Sequence, residues 1–179
     1  MGMARDKRLL IIECIPRSEK FNESLVLSSF LRMTEPDAIH THAIRSKSQM
    51  LNYLGSKRDL QKFDFVHISA HGGEDSESIE LPQGTLRPEE LPEGCFFRQT
   101  VTLSACGMSR TNFVSELMET TGASRVIAPV HDVEFIDSAL WFINFYYLVL
   151  HHSFTPKGAF DRTDMNLSGK VKGGFQFWT

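Results

Sequence analysis

Two side chains in this sequence are placed to act as a nucleophile and its proton partner. His71 ends the run F-D-F-V-H-I-S-A-H-G-G, and Cys106 ends T-V-T-L-S-A-C-G-M. Each apolar run closes on a reactive side chain followed by glycine. A thiolate attacks electrophilic carbon, and an imidazole within reach takes up or returns the proton. A free thiol ionises near pH 8.5, so Cys106 needs either a lowered pKa or a neighbouring base. The bland alternative is a buried structural thiol, the usual fate of cysteine. Gly107 argues against it, because glycine there permits a sharp turn and close substrate approach. Cys14 and Cys95 have no such context and read as structural, Cys14 within a core strand.

The other histidines carry less. A turn histidine is the alternative for His71, and its pairing with the Cys106 motif weighs against that. His67 lies on the same strand face and reads as a buried, hydrogen-bonded residue. His40, His42 and His131 have no strong claim. His151 and His152 are adjacent, so they diverge on a helix, and no third ligand is evident; neither a metal nor a cofactor is assigned.

Both reactive residues must be held by strands. The apolar runs read as buried parallel strands, with His71 and Cys106 at their C-terminal ends, the edge where ligands collect in open α/β sheets. Further strands are expected over 8–15, 38–44, 98–104 and 125–130, with a last short one within 172–179. Asn22 caps a helix over 23–33, with Val26, Phe30 and Met33 on its apolar face. Ser46 and Gln49 form a capping-box pattern for a helix burying Met50, Leu51 and Leu54. Residues 79–86 read as a small hairpin around Pro82-Gln83-Gly84. Thr111 or Asn112 opens a helix burying Phe113, Val114, Leu117 and Met118, closed by Gly122. The stretch 135–150 is apolar on most of its circumference and reads as a heavily buried helix, followed by Thr155 as cap and Pro156 at a first helical position. Alternating strands and helices imply an α/β, three-layer αβα sandwich with a mostly parallel central sheet. No linker or repeat divides the chain, so 1–179 is read as a single domain.

Composition narrows the partners. A net charge of −3 makes no electrostatic case for nucleic acid. Hydrophobic residues make up 41 % of the 179, which is ordinary for a soluble globular protein. The basic start before a short apolar run, broken by Glu13, reads as a strand rather than a signal peptide. No apolar stretch reaches transmembrane length, so no membrane partner is expected. Three cysteines without paired spacing argue against a disulfide framework and for a reducing cytoplasm. No G-x-G-x-x-G follows the first strand, which ranks a nucleotide-binding domain last.

H-I-S-A-H-G followed by L-S-A-C-G resembles the caspase-like cysteine peptidases, most closely their CHAT branch. The run G-A-S-R-V-I-A-P-V-H-D over 122–132, the helix from Phe135 and T-P-K-G-A are also similar, so the resemblance covers roughly 60–179. Ser104 stands where caspases carry Gln, and Gly107-Met108 where they place a charged residue and then Gly. The resemblance implies a caspase-like fold and a cysteine endopeptidase. It would cut a protein substrate through a Cys106–His71 dyad and a thioester acyl-enzyme, in a bacterial defence or cell-death circuit. It implies an oxyanion hole from the N–H groups of Gly72 and Cys106. No carboxylate third member is obvious, and backbone carbonyls orient the histidine in many relatives. The pocket for the residue before the cut is implied to draw on Arg17, Ser104 and Asp132. Asp132 is expected to line it and to disfavour acidic side chains, whereas Arg17 would welcome them. Relatives often carry sensor repeats; none is present here, so any activation is expected from a protein partner or self-association. The alternative is a catalytically idle binding or scaffold module.

Overall fold

The strand that leads to His71, Phe65–Ser69, lies in the middle of the sheet, and all five of its residues are buried. The computed structural model describes residues 7–75 and 77–179; the basic lead-in at 1–6 and Ser76 in the polar turn lie outside the described residues. The strands are β1 (Leu9–Glu13), β2 (Ile39–Ala43), β3 (Phe65–Ser69), β7 (Thr100–Ser104), β8 (Arg125–Pro129) and β9 (Phe175–Trp178). They form one six-stranded sheet in the order β2-β1-β3-β7-β8-β9. Every pairing is parallel except β8 with β9. That antiparallel edge was not foreseen: alternation of strand and helix predicts only parallel neighbours. The register places Glu13, Ser69 and Ser104 side by side at the C-terminal edge.

Helices cover both faces, giving the three-layer αβα sandwich. Leu10, Ile12, Val66, Ile68, Val101, Leu103 and Val126 pack on one side. Their partners there include Met50 and Leu54 of α2 (Lys47–Gly55), Leu60 of α3 (Lys57–Leu60), and Phe113, Val114 and Leu117 of α4 (Thr111–Thr121). Leu9, Ile11, Phe65 and Ile127 face the other side, against Leu27 and Leu31 of α1 (Glu23–Leu31), Trp141, Phe142, Phe145 and Tyr146 of α5 (Phe135–Tyr146), and Ala159 of α6 (Pro156–Leu167). Local signals agree with the sequence. Ser46 accepts from the Gln49 N–H at 3.3 Å, Thr155 accepts from the Gly158 N–H at 3.2 Å, and Gly122 closes α4 at φ +70°. After β3 the chain leaves the main sheet to form β4 (His71–Gly72), which pairs antiparallel with β5 (Ile79–Glu80), itself paired with β6 (Thr85–Leu86).

Two expectations are corrected here. Val26, Phe30 and Met33 do not form the buried face of α1: they are 45 %, 36 % and 73 % exposed. The buried face is instead Glu23, Ser24, Leu27, Ser28 and Leu31. That face is half polar because it rests on polar residues of the sheet, so its period is masked when only apolar residues are followed. The long helix, in turn, is α-helical only to Tyr146 and then widens into a π-helical turn over Tyr147–His151. Among the described residues no helix is long and apolar enough to cross a membrane.

Candidate active site

Sheet topology brings the reactive residues together. β3 and β7 are adjacent and parallel, so the chain leaves both at the same edge. His71 follows β3 by two positions and Cys106 follows β7 by two. Both line one cavity of about 440 Å³, with Ala70, Ser104, Val133, Phe135 and Ile136 among its other walls. A larger cavity of about 570 Å³ lies at the opposite edge, against Asp64, Arg98 and Arg125, and among the described residues neither cysteine nor histidine lines it.

Glycine permits the contact between the two loops. A Cβ built on Gly72 would lie 2.2 Å from the Cys106 carbonyl oxygen and 3.3 Å from its nitrogen. The Gly72 backbone is therefore packed directly on the Cys106 peptide, an approach that any side chain would prevent. Gly107 turns the chain at φ +65°, in the left-handed region that glycine enters without strain. The turn is then tied down by N–H bonds from Gly107 to the His131 carbonyl at 3.4 Å and from Ser109 to the Pro129 carbonyl at 3.0 Å.

His71 has a carboxylate partner that the sequence did not disclose. Its Nε2 lies 2.7 Å from Glu19 Oε1, with both side chains about a third exposed. Glu19 sits in the turn after β1, where its N–H bonds the Pro16 carbonyl at 3.1 Å. Nothing in E-C-I-P-R-S-E-K marks it as special. The usable signal is topological: β1 and β3 are parallel neighbours, so the loop after β1 must emerge beside His71. The Phe135 ring covers the imidazole at 5.1 Å between centroids.

Cys106 is half-buried, whereas Cys14 and Cys95 are fully buried. Burial pushes the Cys14 thiol up to about 12, so it stays protonated and inert. The Cys106 thiol donates to the Val133 carbonyl at 3.6 Å.

The residues expected around the substrate divide. Ser104 lines the cavity, buried, with its hydroxyl 2.7 Å from that of Ser138 on α5. Arg17 and Asp132 are exposed and do not line this cavity. Arg17 is in the turn after β1 and Asp132 in the β8–α5 loop, where Val133 and Glu134 line the cavity instead, the Glu134 carboxylate itself being exposed and 3.7 Å from Lys172 Nζ. His67 is fully buried, with Nδ1 at 2.8 Å from Thr102 Oγ1 and Nε2 at 3.4 Å from Glu23 Oε2, as its strand position suggested. Glu13, which interrupts the first strand, holds the start of α1. Burial pushes its carboxyl pKa up, but hydrogen bonds from Asn22, Ser24 and Arg45, and the Arg45 charge, outweigh this and bring it below the usual range. Among the described residues no group of three or more His, Cys, Asp or Glu is arranged to hold a metal ion.

No family model matches this chain, and the search of curated proteins finds no significant match.

Proposed function

We propose that this chain is a cysteine peptidase of caspase-like architecture, of the CHAT type, that hydrolyses a protein or peptide through a thioester. The supporting observation is that His71 and Cys106 line one cavity while Gly72 abuts the Cys106 peptide. Cys106 Sγ attacks the scissile carbonyl, forming a C–S bond, and its proton passes to His71. His71 then delivers that proton to the amine as the C–N bond breaks. Water, giving its proton to His71, attacks the thioester and releases the acid and the thiol. The N–H groups of Gly72 and Cys106 receive the negative charge that develops on the carbonyl oxygen. A cytoplasmic setting, an activating protein partner and a role in defence or cell death belong to the same proposal.

Glu19 acts here as a positioning residue. Bound to Nε2, it fixes the ring with Nδ1 left for the reacting proton, and it favours the imidazolium that forms during attack. A hydrogen bond to a charged group contributes about 1.5–3 kcal/mol, or roughly 10- to 150-fold in rate. Partial exposure of the pair favours the lower end. Glu19→Gln is expected to lower kcat about tenfold to thirtyfold while KM and the melting temperature stay near those of the parent. A fall in melting temperature with unchanged kcat would make Glu19 a structural tie only.

The contact from Cys106 to the Val133 carbonyl favours a second reading, a catalytically idle module whose thiol is parked away from the imidazole. Intact-mass labelling decides between them. Stoichiometric modification of Cys106 by a peptidyl electrophile within minutes, lost in His71→Ala, supports the peptidase. Labelling that is slow and indifferent to His71 supports the idle module.

A further inference from the structure

The cavity beside Cys106 continues into a narrow crevice between the N-terminal ends of α1 and α5. The two share Phe21, Phe135 and Ile136, and the crevice adds Val26, Ala139 and Glu23. Among the described residues Glu23 is the one ionisable residue that lines it, and its side chain is wholly buried. One arrangement of protons satisfies the groups around it. Burial holds the Tyr146 hydroxyl protonated, far above its usual range. It donates to Thr102 Oγ1 at 2.5 Å, Thr102 donates to His67 Nδ1 at 2.8 Å, and the ring proton on Nε2 faces Glu23 Oε2 at 3.4 Å. Ser69 donates to the same oxygen at 2.9 Å. Every donor thus ends on Oε2, and Oε1 is buried without a partner. A buried acceptor left unmade is costly, and a ligand that brings a donor relieves it.

The surroundings select the donor. Among the described residues no Arg or Lys lines the cavity or the crevice, while Glu23 does; Glu134, at the rim of the cavity, is exposed and pairs with Lys172. An acidic side chain would find no cation there. Phe21, Val26, Phe135 and Ala139 make walls suited to methylenes. The distances match as well. Glu23 is tied to Ser69, the register partner of Ser104, one strand spacing away at about 4.8 Å; Cys106 lies two residues further, about 6–7 Å along the chain. An extended lysine or arginine stem spans a comparable length.

We propose, building on the peptidase reading above, that the cavity beside Cys106 holds the side chain of the residue before the scissile bond, that only the end of that side chain enters the crevice of about 30 Å³, and that Glu23 selects a long one ending in an ammonium or guanidinium. Glu23 then takes the role that the sequence offered to Asp132.

Three peptidyl acyloxymethyl ketones, differing only in lysine, norleucine or aspartate before the reactive carbon, test this by mass shift at Cys106. Each rate is divided by the iodoacetamide rate of the same variant. The lysine probe is expected to react at least about tenfold faster than norleucine, a charged hydrogen bond being worth that much, and the aspartate probe slowest. Glu23→Gln should bring lysine and norleucine within about twofold of each other. Should Glu23→Gln not fold, Val26→Trp, which fills the crevice from its exposed side, should remove the same advantage. Equal rates for lysine and norleucine in the parent, or a preference for aspartate, would overturn the proposal and leave the peptidase reading standing. If no probe reacts, the peptidase reading fails, and n-butylguanidinium tests the Glu23 site by itself. A rise in melting temperature in the parent, absent from Glu23→Gln or Val26→Trp, supports a cation site. No rise overturns it.

Discussion

His71→Ala and Cys106→Ala are each expected to reduce peptide cleavage by at least about a thousandfold in a protein that still folds. General acid–base catalysis by a positioned side chain contributes about 10²- to 10⁴-fold. Loss of the sulfur removes the acyl-enzyme altogether, so Cys106→Ala should fall to background. The fold should survive both changes because neither side chain belongs to the core. His71 is 37 % exposed at its side chain and Cys106 is half-buried, and their side chains make polar contacts to Glu19 and to the Val133 carbonyl respectively. The backbone packing of Gly72 on Cys106 is untouched by either substitution. Surface changes of this kind cost within about 0.5 kcal/mol, roughly 1–2 °C in a chain of this size. Cleavage of a peptide library followed by mass spectrometry, beside thermal melts by circular dichroism, measures both. Full cleavage by either variant would remove that residue from the mechanism. Loss of cleavage together with a large fall in melting temperature would show that the residue holds the loops rather than the chemistry.

The strands and the place of the two reactive residues were legible because each rests on a local pattern. A mostly apolar run such as 65–69, broken only by His67 and Ser69, can be a strand buried on both faces, and a following His-Gly or Ala-Cys-Gly marks where the chain leaves it. The helix caps at Ser46, Thr155 and Gly122 were legible for the same reason, since each is a few residues of backbone chemistry. Glu19 was not, because its role comes from the adjacency of β1 and β3, and adjacency in a sheet is not written in either strand. Glu23 opens α1 as expected, but following only apolar residues around the helix hid that it belongs to the buried face. Its buried neighbours Ser24 and Ser28 are polar, and the exposed side carries Leu25, Val26, Phe30 and Met33. Arg17 and Asp132 were chosen by position along the chain, and a shift of one or two residues in a loop is enough to turn a side chain outward. The reversed direction of β9 was equally hidden. It follows from the turn at Gly173 and Gly174, at φ +101° and +57°, where the Val130 and His131 N–H groups bond the carbonyls of Gly174 and Gly173 at 3.0 Å.

The largest effect on stability is expected from Phe142→Ala. Phe142 is 0 % exposed on the face of α5 that rests on the sheet. Its ring meets His67 edge-on at 4.7 Å, Phe175 at 5.2 Å and Trp141 at 5.1 Å, and is stacked with Tyr146 at 6.1 Å. Truncation removes the transfer free energy of the ring and leaves a void whose walls are held by β3, β9 and the helix itself, so collapse into it is limited. Such changes cost about 3–5 kcal/mol, and at about 2–4 °C per kcal/mol the melting temperature should fall by roughly 6–20 °C. Leu140→Ala on the same helix is the control: Leu140 is 45 % exposed, and its loss should cost far less. The substitution also reaches the site. His67 loses the ring that holds it edge-on, and His67 Nε2 is one of the two donors to Glu23 Oε2. At a temperature where Phe142→Ala is still folded, the lysine-over-norleucine preference at Cys106 should therefore narrow more than the iodoacetamide rate changes. A Phe142→Ala protein that melts with the parent would mean that α5 presents a different face to the sheet, and the wall it gives the cavity through Phe135 and Ile136 would have to be reassigned with it.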